Sequence, residues 1–303
     1  MKRRVAVLKF GGTSVGDPEK IQRAAERAVE MRRAGWRVAV VVSAPGEMTD
    51  ELIGLAKRVA SEPDPRELDQ LMATGELVGV SLFAMACRAK GAPAVSLSGP
   101  QAGFHCEGSP TLSTITAIRP RRVLAEMAAG NIVAVAGFQA LAKNGDTATL
   151  GRGGSDLSAV ALAAVLKAER CDIFTDVKGV YTADPRVVPD ARQLKRLSYE
   201  EMLELSSAGA QVMLARSIEV AQRYGVRLQV RSAFQPAAGT WIDDGPEADM
   251  EKAHVSSIAH DTGEVRLTVA GVPDQPGVAA AVLAALAEAE VPVDMVVQSS
   301  ATM

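Results

Sequence analysis

Aromatic residues make up only 4% of this 303-residue chain, and histidine occurs three times. So few rings leave little with which to stack nucleobases. The 33 basic against 36 acidic residues, a net charge of −3, create no positive field for a nucleic-acid backbone, so no nucleic-acid partner is expected. The three cysteines, Cys87, Cys106 and Cys171, are odd in number and far apart, which argues against a disulfide framework and fits a reducing cytoplasm. His105, His254 and His260 share no metal-ligand spacing with them, so no protein-bound metal is expected. The basic start MKRRVAVLKF carries an apolar run of four residues, too short for a secretion signal. No apolar stretch approaches the ~18–20 residues of a membrane helix, so no membrane is expected either.

What is plentiful is Ala, Val, Leu and Gly, and the chain is 48% hydrophobic, ample for a buried core. Residues 5–10 read as a buried strand. Asp17-Pro18 supplies an N-cap and a first-turn proline, the apolar spacing of Ile21 to Met31 is helical, and Gly35 ends the helix. Residues 37–42 form a second buried strand, completing a right-handed β-α-β crossover. The alternation continues: helices over 52–60, 66–89 (interrupted near Thr74-Gly75), 121–129, 155–168, 199–206 and 212–224, and strands over 94–97, 132–136, 173–175 and 227–230. This pattern predicts an α/β fold, a three-layer α/β/α arrangement on a mainly parallel central sheet. A Pro/Gly/Asp-rich stretch at 235–254 marks a boundary, giving one domain over 1–250 and a second over 251–303. The second reads as strand 264–270, helix 278–290 and strand 293–298, half of a ferredoxin-like β-α-β-β-α-β unit.

Several loops carry chemistry. LKFGGTSVGD (8–17) follows the first strand, yet fits neither the G-x-x-x-x-G-K-[ST] nor the G-x-G-x-x-G phosphate pattern. Lys9, at the end of a buried parallel strand, costs solvation free energy unless it meets an anion or snorkels to the surface. In TLGRGGSDLS (149–158), Gly151, Gly153 and Gly154 surround the guanidinium fork of Arg152, and Ser155 and Asp156 open a helix whose free N–H groups favour an anion. TDVKGVYTADPR (175–186) sets Thr175 and Asp176 at a strand end, with Tyr181, Asp184 and Arg186 beyond; it is a nucleotide pocket or a long polar turn. Ser43 and Thr49 in SAPGEMT either bind a small polar substrate or cap the following helix. Glu76, in TGE, taken alone reads as a solvated helix carboxylate.

Together KFGGTSVGD, VVSAPGEMTD, ATGE, VAGFQA, TLGRGGSD, TDVKGVYTADPR, SYEEMLEL and VRLQVRS, in this order, resemble the aspartokinase group of the amino-acid kinase family over nearly the whole chain. The resemblance implies an amino-acid kinase fold and ATP-dependent phosphorylation of the L-aspartate β-carboxylate, on the route to lysine, threonine, methionine and diaminopimelate. It implies Lys9 and Asp156 as catalytic groups, Ser43, Thr49, Glu76, Arg152 and Ser155 around the substrate, and Phe10, Gly11, Gly12, Gly153 and Gly154 about the phosphates. Thr175, Asp176, Tyr181, Asp184, Arg186 and the position of Gln211 would hold the nucleotide, with Mg²⁺ bridging phosphate oxygens.

Three features depart from the family pattern. Gln211 stands where a lysine is usual, and Lys178 is the candidate replacement. The segment 104–118, FHCEGSPTLSTITAI, lacks the usual His-Gly/Asn-Ala-Arg pattern, which keeps open a paralogous kinase acting on another carboxylate. The C-terminal unit resembles the first half of an ACT domain, with Asp274, Gln275 and Gly277 at the effector loop, so ordinary feedback by lysine or threonine is not expected. A nucleotide-binding regulatory subunit is the third alternative. Family members pair through ACT domains, so a homodimer or higher oligomer is expected.

Overall fold

The structure is a computed structural model, and it describes residues 4–210, 212–236, 238–245, 257–260, 265–271, 273, 275–289, 291, 293 and 296–297. The positions of His254, Gln211 and Asp274 lie outside the described residues. The chain divides into two compact units, Met1–Asp261 and Thr262–Met303.

The first unit begins with β1 (Val5–Phe10), a 3-10 turn at Gly12–Ser14, α1 (Pro18–Arg33), β2 (Arg37–Val42), α2 (Met48–Val59), α3 (Pro65–Ala89) and β3 (Ala94–Leu97). There follow α4 (Gly99–Ala102), β4 (Phe104–Glu107), β5 (Thr114–Ile118), α5 (Arg121–Ala128), β6 (Ile132–Ala136), β7 (Gln139–Ala142) and β8 (Thr147–Thr149). The unit is completed by α6 (Gly154–Leu166), β9 (Arg170–Thr175), β10 (Arg196–Ser198), α7 (Tyr199–Ser207), α8 (Ala215–Tyr224), β11 (Leu228–Ser232) and β12 (Thr240–Asp243). Eight strands form one sheet in the order β10-β12-β11-β9-β1-β2-β6-β3, parallel except for the β11–β12 pair. The α/β class with a parallel-dominant sheet is therefore as the alternation predicts.

Strand parity explains the layers. Leu8 and Phe10 of β1 and Val38, Val40 and Val42 of β2 point to one face, where they pack with residues of α1 and α3. Val7, Ala39 and Val41 point to the other, against α5, α6 and α8. Phe10 stacks on Phe174 with ring centroids 4.7 Å apart and leans on Phe83. Lys9 shares the parity of Val7, so its side chain leaves the sheet on the α6 face. All three cysteines are buried and free.

Four segments differ from the sequence reading. The helix expected to break at Thr74-Gly75 is continuous in α3, because Gly75 and Gly79 serve close packing. A Cβ on Gly75 would stand 2.9 Å from the Ala44 Cβ, and one on Gly79 2.5 Å from the Ser43 carbonyl oxygen. By length and composition α3 passes the test for a membrane span, contrary to the expectation that no stretch does; half of that stretch is buried in the protein. Residues 104–118, with no strand assigned from sequence, supply β4 and β5 of a second sheet in the order β5-β4-β7-β8. These strands lack the continuous apolar runs of the central sheet: β4 is FHCE, and β5, TITAI, is largely exposed. In the second unit the expected helix is present as α9 (Val278–Glu288), but residues 265–270 form no strand. A strand needs a partner edge for its N–H and C=O groups, and none is described there. The strand expected at 293–298 falls partly outside the described residues.

Gly79 yields a stability prediction. Overpacking against Ser43 costs about 1–3 kcal/mol, more than the about 1 kcal/mol that alanine gains over glycine in a helix. Gly79→Ala therefore lowers the urea midpoint with an unchanged m-value; an equal or higher midpoint contradicts the close approach of α3 to the end of β2.

Candidate active site

The central strands β9, β1, β2 and β6 are parallel and deliver four loops to their C-terminal edge. After β1 the chain adds β2 beside it, then the edge strand β3, then β6 between the two, while β9 and the later strands of this sheet add on the other side of β1. The β9–β1 junction is a reversal of strand order, the place where open α/β sheets bind ligands.

Lys9 and Asp156 meet at this edge. Lys9 Nζ lies 2.6 Å from Asp156 Oδ1, and the two side chains are 12% and 13% exposed. The ammonium therefore does not snorkel to the surface. The buried Oδ1 has the ammonium as its ion-pair partner and, among the described residues, no other. Asp156 stands in the first turn of α6, where the helix dipole favours a carboxylate. The helix is capped by Gly153 rather than Ser155, which sits within the first turn, nearly buried. Gly11 tolerates this ammonium: a Cβ there would stand 3.1 Å from Lys9 Nζ.

The loops after β1 and β2 are stitched together. Ser43 N–H donates to the Phe10 carbonyl at 3.1 Å and Gly46 N–H to the Gly12 carbonyl at 3.0 Å. A Cβ on Gly12 would come within 2.8 Å of the Ala44 and Gly46 carbonyl oxygens, which explains this glycine by protein contact alone. The Phe10 ring does not reach the site; it is core, and only its backbone borders the loop.

Glu76 departs most from its reading as a solvated carboxylate. It is 3% exposed. Its Oε1 accepts the Ala44 N–H at 3.3 Å while Oε2 has no partner. Burial raises its carboxyl to about 7, against the opposing pull of the Ala44 amide. An unpartnered buried oxygen with its neighbour's amide already engaged suits a cation or a hydrogen-bond donor. Ser43, next to the Ala44 that Glu76 accepts from, and Thr49, in the first turn of α2, are both half-buried.

The glycine loop 151–154 is shaped by the protein itself. Gly151 and Gly153 have φ of +74° and +69°, and a Cβ on Gly153 would collide with Leu214. One on Gly154 would stand 2.9 Å from Leu150 and Phe138 side-chain atoms. Arg152 is thereby displayed on an exposed turn, and among the described residues it has no hydrogen-bond or ion-pair partner.

Thr175 and Asp176 end β9 beside β1, since Phe174 is in register with Phe10. Thr175 Oγ1 donates to Asp176 Oδ1 at 3.0 Å. Tyr181 bridges to Gln193, and Asp184 and Arg186 pair with each other at 2.7 Å. The hydrogen bonds from the Arg186 side chain hold the Asp184 carboxyl down to about 2. These two expected nucleotide ligands thus act as one paired element. Lys178 is exposed, and only its carbonyl is engaged, by Gln193.

Asp69 was not singled out from sequence. It is 1% exposed and lies on α3 seven residues before Glu76, on the same helix face. It accepts hydrogen bonds from Thr111 and Thr149. A polar residue at an apolar position of the helix was the available signal.

A mainly parallel sheet with a buried lysine–aspartate pair at its switch point, an arginine without a partner among the described residues and an amide-rich glycine loop defines an anion-handling α/β protein of the small-molecule kinase type. The chain belongs to the amino acid kinase family, whose profile matches residues 4–232; an ACT domain profile matches residues 265–303. It is 48% identical to the aspartokinase of Pseudomonas aeruginosa over 97% of its own length and 72% of that protein. The aspartate kinase structure from Synechocystis superposes with a TM-score of 0.71 at 43% identity, covering 81% of this chain but only 40% of that one. The structure of E. coli aspartokinase III in complex with aspartate and ADP gives a TM-score of 0.74 at 27% identity, over 80% of this chain and 65% of that one.

Glu76 sets a pH dependence. The unfolded carboxyl releases its proton near 4.5 and the folded one near 7, so folding stability falls as pH rises between them. At ~1.4 kcal/mol per unit this loss is on the order of 3 kcal/mol. Glu76→Gln removes it, so the stability of the variant relative to the parent climbs between pH 5 and 8 in urea titrations. A pH-independent difference contradicts the burial-raised carboxyl.

Proposed function

We propose that this chain phosphorylates the β-carboxylate of L-aspartate with ATP, giving β-aspartyl phosphate and ADP at the head of the route to lysine, threonine, methionine and diaminopimelate. The Lys9–Asp156 pair at the switch point carries the reading. The acceptor, with a carboxylate pKa of ~3.9, is already ionised at neutral pH and needs no general base. One of its oxygens forms a bond to the γ-phosphorus as the bond to the β,γ-bridging oxygen breaks, and ADP departs with that electron pair. What the protein must supply is in-line positioning and charge neutralisation.

Lys9 faces the charge on the transferring group, and Asp156 holds the ammonium in place. The backbone at Phe10, Gly11, Gly12, Gly153 and Gly154 lines the phosphates. Arg152, with no partner among the described residues, clamps the α-carboxylate, and the open Glu76 oxygen receives the α-ammonium, whose charge draws the Glu76 proton off. Ser43, Thr49 and Ser155 add hydroxyls around the substrate. Thr175, Asp176, Tyr181 and the Asp184–Arg186 pair hold the nucleotide.

Among the described residues no cluster of three His, Cys, Asp or Glu could hold a metal ion alone. That fits Mg²⁺, which binds through one or two carboxylates together with phosphate oxygens and water. Asp156, paired with Lys9, and Asp176 are the carboxylates at this edge. Mg²⁺ supplies charge neutralisation on the phosphate oxygens when bound.

A coupled ADP-release assay tests the activity. ADP formation requires L-aspartate and is much weaker with L-glutamate; equal or greater turnover with glutamate contradicts the assignment. Arg152→Lys loses the two-pronged contact and raises the KM for aspartate ~10-fold or more, the worth of a charge-assisted hydrogen bond. An unchanged KM removes Arg152 from the substrate.

A further inference from the structure

The Asp69 carboxylate gathers three separate segments. Thr111 N–H donates to both of its oxygens at 3.1 Å, Thr149 N–H to Oδ2 at 3.1 Å, and Thr149 Oγ1 to Oδ1 at 2.6 Å. Asp69 enters no ion pair among the described residues. Its hydrogen bonds are all accepted, a set that a carboxamide cannot reproduce, because one end of it is a donor.

The two donors sit on different loops. Thr111 lies between β4 and β5, in the segment that departs from the family pattern. Thr149 ends β8, three residues before Arg152. The loops also bind each other: Ser113 N–H donates to the Thr149 carbonyl at 3.0 Å, and a Cβ on Gly151 would stand 3.2 Å from the Thr111 carbonyl oxygen and the Leu112 side chain. Thr111 has φ of +68°, a region unfavourable to a β-branched residue, so its conformation needs support from its surroundings. The bonds to Asp69 supply it.

Seven residues on, the same uninterrupted helix carries Glu76. Two helical turns set the span between these carboxylates at ~10 Å along the axis. Asp69 thus references the loop bearing Arg152 to the helix bearing Glu76. We infer that Asp69 is a positioning residue that sets the spacing between the Arg152 guanidinium and the Glu76 carboxylate, and with it the selectivity for a substrate presenting an α-carboxylate and an α-ammonium together. This rests on the substrate roles proposed above for Arg152 and Glu76. It gives the 104–118 segment a part in that selectivity, because Thr111 is one of the two residues Asp69 holds.

Asp69→Asn, Thr149→Val and Thr149→Ser test the inference by two readouts. The first is kinetic: Asp69→Asn and Thr149→Val raise the KM for L-aspartate ~10-fold while the KM for ATP stays within about twofold, and Thr149→Ser, which keeps the hydroxyl, restores the parent value. The second needs no substrate: trypsin cleaves the folded protein after Arg152 faster in Asp69→Asn and Thr149→Val than in the parent or Thr149→Ser. Faster cleavage in a protein whose parent shows no aspartate-dependent turnover overturns the functional reading and leaves the positioning role standing. Unchanged cleavage, or aspartate and ATP KM values that stay at parent level or rise together while only thermal stability falls, overturns the positioning role. Should Asp69→Asn not fold, the Thr149→Val and Thr149→Ser pair decides alone, and identical KM and cleavage in the two rejects it.

Discussion

The ion pair between Lys9 and Asp156 is the contact on which the rest of the site depends. A buried ammonium is tolerated only beside a counter-charge, and a buried carboxylate only beside a cation or donors. Strand parity turns Lys9 toward α6, and the first turn of α6 turns Asp156 toward β1, so the two elements specify each other. The pair is close, at 2.6 Å, with both side chains largely buried.

Close backbone approach is the second constraint. Gly12 admits the 44–46 loop, Gly75 and Gly79 admit α3 to the end of β2, and Gly153 accommodates Leu214. These glycines reflect protein packing as much as access for phosphate. The result is an edge where loops from distant parts of the chain are joined by a few direct contacts, with Glu76 buried against the Ala44 amide and Arg152 on an exposed turn.

The layered fold was legible in the sequence because buried parallel strands read as short apolar runs and the helices between them carry period-3.6 faces. Lys9, Arg152 and Asp156 were legible because charges flank glycines at strand and helix ends. For Phe10 the sequence places the residue at the strand end but not the face its ring takes, which the structure shows to be the core. Glu76 and Asp69 were the harder cases. Each is a carboxylate on a long helix, and only the packing of α3 against β2, β6 and β8 shows that their side chains are interior. The small second sheet escaped because strands such as FHCE and TITAI lack the apolar runs that mark the buried parallel strands. In the second unit the apolar helix was readable by composition, whereas strands depend on partners that local sequence does not name.

The central claim is that Lys9 and Asp156 act as one unit on the transferring phosphoryl group. A double-mutant cycle on kcat with Lys9→Met, Asp156→Asn and the double variant tests it most directly. If the pair is a unit, the double variant is no slower than the worse single variant by more than ~10-fold. If the two losses simply multiply, the residues act independently and the account of the site is wrong.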